Sequence, residues 1–310
     1  MSVKAFRGMS PASQFLISLF VILISFLFFM VASVIVAIPI FKLDLNSLAT
    51  IVDISNPANI HVLKYFQVVQ SIGLFIVPPI ILAWLYTGNV ARYLLLHQKP
   101  VASSILIVIF LTVIISPAIN FMGELNAKMS FPHWLSGVEN WMRANEDNAA
   151  LMTDAFLNVN TIGGLLFNLF MIALLPAIGE ELLFRGVIQK IFTNWTKNTH
   201  WGIWISAILF SALHLQFYGF FPRMMLGVIF GYLLVWSGSM WLPMLAHFIN
   251  NAVAVIAMWM VSEGKIDPTV EEFGATPESS YAAIISIAFS FILMWYFWKQ
   301  YQLKEAESIN

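Results

Sequence analysis

The run PASQFLISLFVILISFLFFMVASVIVAIPI, residues 11–40, contains no charged side chain, and none lies between Arg7 and Lys42. A bilayer-spanning helix needs about 20 apolar residues. The run satisfies that with room to spare, and its apolar stretch is longer than the roughly 7–15 residues of a signal-peptide core. It also lacks a convincing small-residue cleavage site, so it reads as a retained helix. It is continuous rather than alternating, which argues against the roughly 10-residue strands of a membrane barrel.

The rest of the chain follows the same pattern. Of 310 residues, 60% are hydrophobic and 10% are charged. Soluble domains average roughly 45–50% and about 25%. A soluble protein of this length would lack the charges to cover its surface. The net charge of -1 leaves no basic face for nucleic acid. Without cysteine there is no disulfide, thiolate nucleophile or Cys-ligated metal. The fold class expected is therefore all-α, a polytopic membrane protein.

Working outward, further spans are predicted near Val62–Tyr86, Val101–Phe121, Ile162–Phe184, Trp201–Phe217, Pro222–Trp236, Met240–Val261 and Tyr281–Trp298. That makes eight, with Pro222–Trp236 short enough to be tilted or half-buried. Pro78-Pro79 predicts a kink in the second span. The polar stretches Lys42–Ile60, Met122–Thr161 and Ser262–Ser280 read as loops. No internal repeat is visible, and the chain divides into residues 1–161, 162–261 and 262–310 of one membrane domain. Eight spans put both termini on one side. Lys4, Arg7, Arg92, Lys99, Lys190, Lys197, Lys299 and Lys304 then share that side, against Lys42, Lys64, Lys128, Arg143, Arg223 and Lys265 on the other. The excess and its concentration in shorter segments favour cytoplasmic termini in the cell membrane.

Three charged residues remain: Glu180, Glu181 and Arg185, at the expected end of the fourth span. Burying neighbouring carboxylates costs several kcal/mol unless they are paired or hydrated. Glu181 and Arg185 are four apart, in the favourable order for an ion pair on one helix face. Glu180 points about 100° away and is left free. His214 ends the fifth span, and the seventh carries His247, Asn250 and Asn251, with His247 and Asn251 on one face. These groups fall in one half of the chain, which predicts a shared polar cavity near the cytoplasmic side.

Several hydrolytic chemistries fit such a set unequally. Ser211 precedes His214 by three residues on one helix, a poor attack geometry for a serine nucleophile. No span carries the paired Asp of an aspartyl enzyme, and His-Glu-x-x-His is absent. Zinc held by Glu180, His214 and His247 stays open, because ligands can come from separate helices. A glutamate that activates water directly is the other option.

Glu180-Glu181-x-x-x-Arg185, Phe210-x-x-x-His214 and His247-x-x-x-Asn251, with Gly238-Ser239-Met240-Trp241-Leu242-Pro243 leading into the last, resemble the CAAX protease and bacteriocin-processing (CPBP) group of intramembrane peptidases. The resemblance runs from about Leu165 to Val261. It implies that Glu180 and His214 activate the attacking water and that His247 and Asn251 form the oxyanion hole. Glu181 and Arg185 would hold the helix and tune Glu180. It implies no metal and no cofactor, because an Asn amide is a good oxyanion donor and a poor metal ligand. Its expected partners are the lipid bilayer and a membrane-associated protein or peptide substrate.

Two other functions compete. A non-proteolytic binding, maturation or immunity protein of the same fold would keep its activity without the motif residues. A proton-coupled transporter would use the glutamates as an ion site, but it would show repeats or broken helices in matching halves. Gly227-x-x-x-Gly231 reads as close helix packing.

Overall fold

The computed structural model describes residues 3–309. Among them there is no β-strand. The principal helices are α1 (Pro11–Phe41), α2 (Pro57–Thr87), α3 (Ala102–Ala127), α4 (Ser136–Leu157), α5 (Ile162–Thr196), α6 (Thr199–Ala212), α7 (Phe220–Ser237), α8 (Trp241–Ser262) and α9 (Ser280–Ile309). Seven helical segments are long and apolar enough to cross a membrane: α1, α2, α3, α5, α7 with the turn before it, α8, and α9 to Leu303. Large side chains on the outside of the bundle stay uncovered, Phe28 at 66%, Ile284 at 71% and Phe291 at 73% exposure. In water that surface would be untenable; against acyl chains it costs nothing.

The expected fifth span is shorter than eight full crossings require. Asn198 caps α6 by accepting from the His200 and Trp201 N–H groups, and the helix stops at Ala212. Fourteen residues rise about 21 Å, short of the roughly 30 Å hydrocarbon layer. The next segment, expected to be the short one, is the longer of the pair. α6 and α7 pack as an antiparallel hairpin. A Cβ on Gly231 would lie 2.8 Å from Ile203 Cγ2, and one on Gly227 would lie 3.0 Å from Ala207 Cβ. Close helix packing is thus what this glycine pair does.

α5 differs most from its prediction. It does not end at Phe184 but runs 35 residues to Thr196. It contains π-helical turns at Leu169–Leu174 and Phe184–Ile188, on either side of the α-helical stretch Leu175–Leu183. Glu180 therefore sits about 27 Å along the helix from its start, mid-rod rather than near its end. α2 is likewise continuous; its π turn, Ile72–Ile76, directly precedes Val77 and the two prolines. The Met122–Thr161 connection is not plain loop, since α4 occupies 22 of its residues.

The two ends of the bundle are distinct. At one, Trp241 Nε1 and Ser239 Oγ donate to the carbonyls of Leu96 and Gln98, and Tyr301 pairs with Ser104 at 2.9 Å. The starts of α1, α3, α6 and α8 and the far part of α9 lie there. At the other lie α4, the start of α5, and the end of α3, where Asn126 binds the backbone of Phe217 and Phe221.

Candidate active site

Glu181 is fully buried and central. Its Oε1 accepts from Arg185 Nη1 at 2.8 Å, one turn on along the same helix. It also accepts from His247 Nδ1 on α8 at 2.9 Å. Arg185 is completed by Gly227 O at 3.2 Å and by the rings of Phe210 and Phe230, at 4.6 and 5.5 Å from its guanidinium carbon. One buried cation, one buried anion and two aromatic faces compensate each other where neither charge could stand alone.

That arrangement fixes His247. A carboxylate only accepts, so Nδ1 carries the proton and Nε2 is turned the other way. Nε2 lies 3.7 Å from Glu180 Oε2. His247 thus lies between the two glutamates and is hydrogen-bonded to Glu181, a link between α5 and α8 that local sequence does not reveal. Phe230 stacks on its ring with centroids 5.4 Å apart. His214, just past the end of α6, places Nδ1 2.8 Å from Phe210 O, so its Nε2 is the free ring nitrogen. Ser211 Oγ donates to Phe220 O at 2.7 Å and is buried, which makes it a structural hydroxyl.

Asn251 donates from Nδ2 to Ile172 O at 3.1 Å, and Asn250 Nδ2 donates to Asn251 Oδ1 at 3.1 Å. Four residues after Ile172 stands Pro176, which has no N–H to offer that carbonyl. The Asn251 amide supplies the missing donor. Although about 100° apart on the helix, Asn250 and Asn251 act as one bonded unit.

Glu180, His214, His247, Asn250 and Asn251 line a single cavity of about 640 Å³. Glu181 and Arg185 lie behind its wall. The cavity continues past Met171, Ile172 and Pro176 to Ala149, Met152, Thr153 and Phe156 of α4. It therefore faces the α4 end of the bundle, and the expectation of a cavity near the end that holds the termini is corrected. The physical reason is the short α6: its early stop leaves a recess that the turn Phe217–Gly219 and α4 border without filling.

Two charges read as loop residues lie inside. Arg223 and Gln216 line the cavity, and Gln67 of α2 contributes from the half of the chain expected to add nothing. Lys64 is buried in α2, its Nζ donating to Asn168 Oδ1 at 2.9 Å, while Asn168 Nδ2 donates to Phe156 O at 2.9 Å. No sequence rule places Arg223 in the site. Among the described residues, no three His, Asp or Glu side chains are grouped so as to hold a metal ion.

Residues 162–253 match the family model described as type II CAAX prenyl endopeptidase Rce1-like. The match takes in Glu180, Glu181, Arg185, His214, His247 and Asn251. A curated relative, uncharacterized protein YpbD of Bacillus subtilis (strain 168), is 34% identical over 90 residues, 28% of this chain and 43% of that protein. The chain thus spans less than half the length of the relative it matches. No solved structure matches the chain.

Proposed function

From the Rce1-like character of residues 162–253, we propose that this integral membrane protein is an intramembrane endopeptidase in which Glu180 activates the attacking water. The observation that carries the reading is the convergence of Glu180, His214, His247, Asn250 and Asn251 on one cavity beside the buried Glu181–Arg185 ion pair.

In this reading the Glu180 carboxylate takes a proton from water as the water oxygen bonds to the scissile carbonyl carbon. His214 Nε2, whose lone pair is free because Nδ1–H is held by Phe210 O, accepts the water's second hydrogen bond and orients it. His247, protonated on both ring nitrogens so that Glu181 holds Nδ1–H, donates Nε2–H together with the second N–H of Asn251 to the carbonyl oxygen as it gains charge, the role that the family resemblance implies. On collapse the C–N bond breaks, and the proton held by Glu180 passes to the leaving amine. Glu181 acts through His247: by holding Nδ1–H it fixes which nitrogen faces the reaction. No metal or cofactor takes part in this scheme. The substrate class is a membrane-associated protein or peptide.

The test uses the purified full chain in nanodiscs and a pool of membrane-associated peptides read by mass spectrometry. Glu180→Gln is expected to lower turnover by about 10²- to 10⁴-fold, the usual worth of a general base. Its thermal unfolding should stay close to that of the parent. Unchanged turnover removes the mechanism. If cellular activity survives in Glu180→Gln, a non-proteolytic binding protein is the better reading. Loss of turnover on chelation, restored by zinc, would favour the metal alternative.

A further inference from the structure

Two arginines lie inside this bundle, and the fold treats them differently. Arg185 has a carboxylate at 2.8 Å, a backbone carbonyl and two aromatic faces. Among the described residues, Arg223 has no paired carboxylate and no aromatic face. Its Nη1 and Nη2 donate to Gln216 O at 3.3 Å and Gln216 Oε1 at 2.9 Å, both neutral acceptors. Among the described residues no carboxylate lies within 4.0 Å of it. Two acids, Glu146 and Glu180, are near enough to act on it, but neither forms an ion pair with it. Glu146 Oε2 accepts the Tyr218 N–H at 3.2 Å, and Glu180 faces His247.

Nor does the helix favour this placement. Arg223 stands in the first turn of α7, where the macrodipole disfavours a cation. It is half-buried, inside a membrane-spanning segment, and aimed with Glu180 and His214 at one cavity. A guanidinium without a contact carboxylate in such a place lowers stability. It is the kind of group whose partner arrives with the ligand.

We propose that Arg223, steadied by Gln216, is the anion subsite of this cavity and takes a carboxylate of the bound peptide. The guanidinium fork matches a carboxylate, and two of its five N–H donors are occupied, which leaves three for a ligand. Glu180 in the same cavity would repel a doubly charged phosphate more strongly than a singly charged carboxylate. The inference rests on the peptidase reading for the nature of the ligand, and the experiment separates the two.

The full chain carrying Glu180→Gln, in nanodiscs, is titrated with dansyl-labelled random hexapeptides lacking Asp and Glu. One pool ends in a free carboxylate and one in an amide, and anisotropy reports binding. A third pool, amidated but containing Asp and Glu, distinguishes a side-chain carboxylate from a terminal one. At least one carboxylate-bearing pool is expected to bind at least tenfold tighter than the pool without any. Arg223→Gln in the same background should shrink that preference below twofold, and Arg223→Lys should keep part of it. Equal binding of all three pools, or a preference that survives Arg223→Gln, overturns the subsite. If the chain with Glu180 intact cleaves nothing while the preference holds, the peptidase reading falls and the subsite stands. Cleavage that depends on Glu180 without any preference gives the reverse.

Discussion

Glu181 Oε1 accepts two hydrogen bonds from residues of very different origin, Arg185 four positions away and His247 sixty-six positions away. Removing one partner of a buried pair strands the other, at a cost of about 3–5 kcal/mol, whereas replacing both by apolar side chains is often neutral. Glu181→Leu and Arg185→Leu are accordingly each expected to destabilise the protein strongly. The double variant should recover much of the loss. Thermal unfolding of the four proteins in one detergent checks this, and additive losses would contradict a coupled pair. The Arg185 contact was legible in the sequence because helical geometry alone brings i and i+4 together. The His247 contact was not, since it depends on how α5 and α8 lie against each other. Arg223 and Lys64 were read as loop charges for a related reason: local sequence shows a charge near a span's edge, not whether Gln216 or Asn168 waits to receive it.

At the scale of the helix, α5 is interrupted twice by π turns, and the first ends two residues before Pro176. Such turns are rare and are frequent at functional sites. Here the irregularity has a mechanical consequence. The Ile172 carbonyl that Pro176 cannot serve is bound by Asn251, so a defect in one helix becomes an attachment point for another. Asn251→Ala is expected to cost about 1–3 kcal/mol by leaving that carbonyl without a donor. In a Pro176→Ala background, where a backbone N–H returns, the same change should cost measurably less. Equal costs in both backgrounds would mean that Asn251 does not act through Ile172. The apolar runs gave the helices themselves because their length is set by the bilayer. The true end of α5 was missed because Glu180, Glu181 and Arg185 look like a membrane boundary until their mutual compensation is known. α4 was missed because its mixed polar composition resembles a loop. A helix that rests on the edge of a cavity need bury only Met142, Phe156 and Leu157.

For the molecule as a whole, the termini and the cavity lie at opposite ends of the bundle. Cytoplasmic termini and a site open to the cytoplasm, both expected from the sequence, are therefore incompatible. Two of the six basic residues assigned to the far side, Lys64 and Arg223, are interior. That leaves Lys42, Lys128, Arg143 and Lys265 in the loops there and sharpens the basic excess at the terminal end. On the charge rule, the terminal end is expected to face the cytoplasm and the cavity to open on the other side. The chain has no native cysteine, so single replacements report cleanly. In intact cells Lys128→Cys should react with a membrane-impermeant maleimide, and Lys197→Cys only after permeabilisation. The opposite pattern would invert the molecule and return the site to the cytoplasm.

α6, at fourteen residues, is a rod of about 21 Å set in a layer of about 30 Å. Lipid beside α6 is expected to shorten or tilt to meet it, at a fraction of a kcal/mol for each ångström of mismatch. Any such thinning would be local to α6. On the proposed peptidase reading, a peptide bond otherwise held at the centre of the bilayer would meet headgroup and solvent sooner there, and longer acyl chains around the protein are expected to slow a substrate's descent to Glu180.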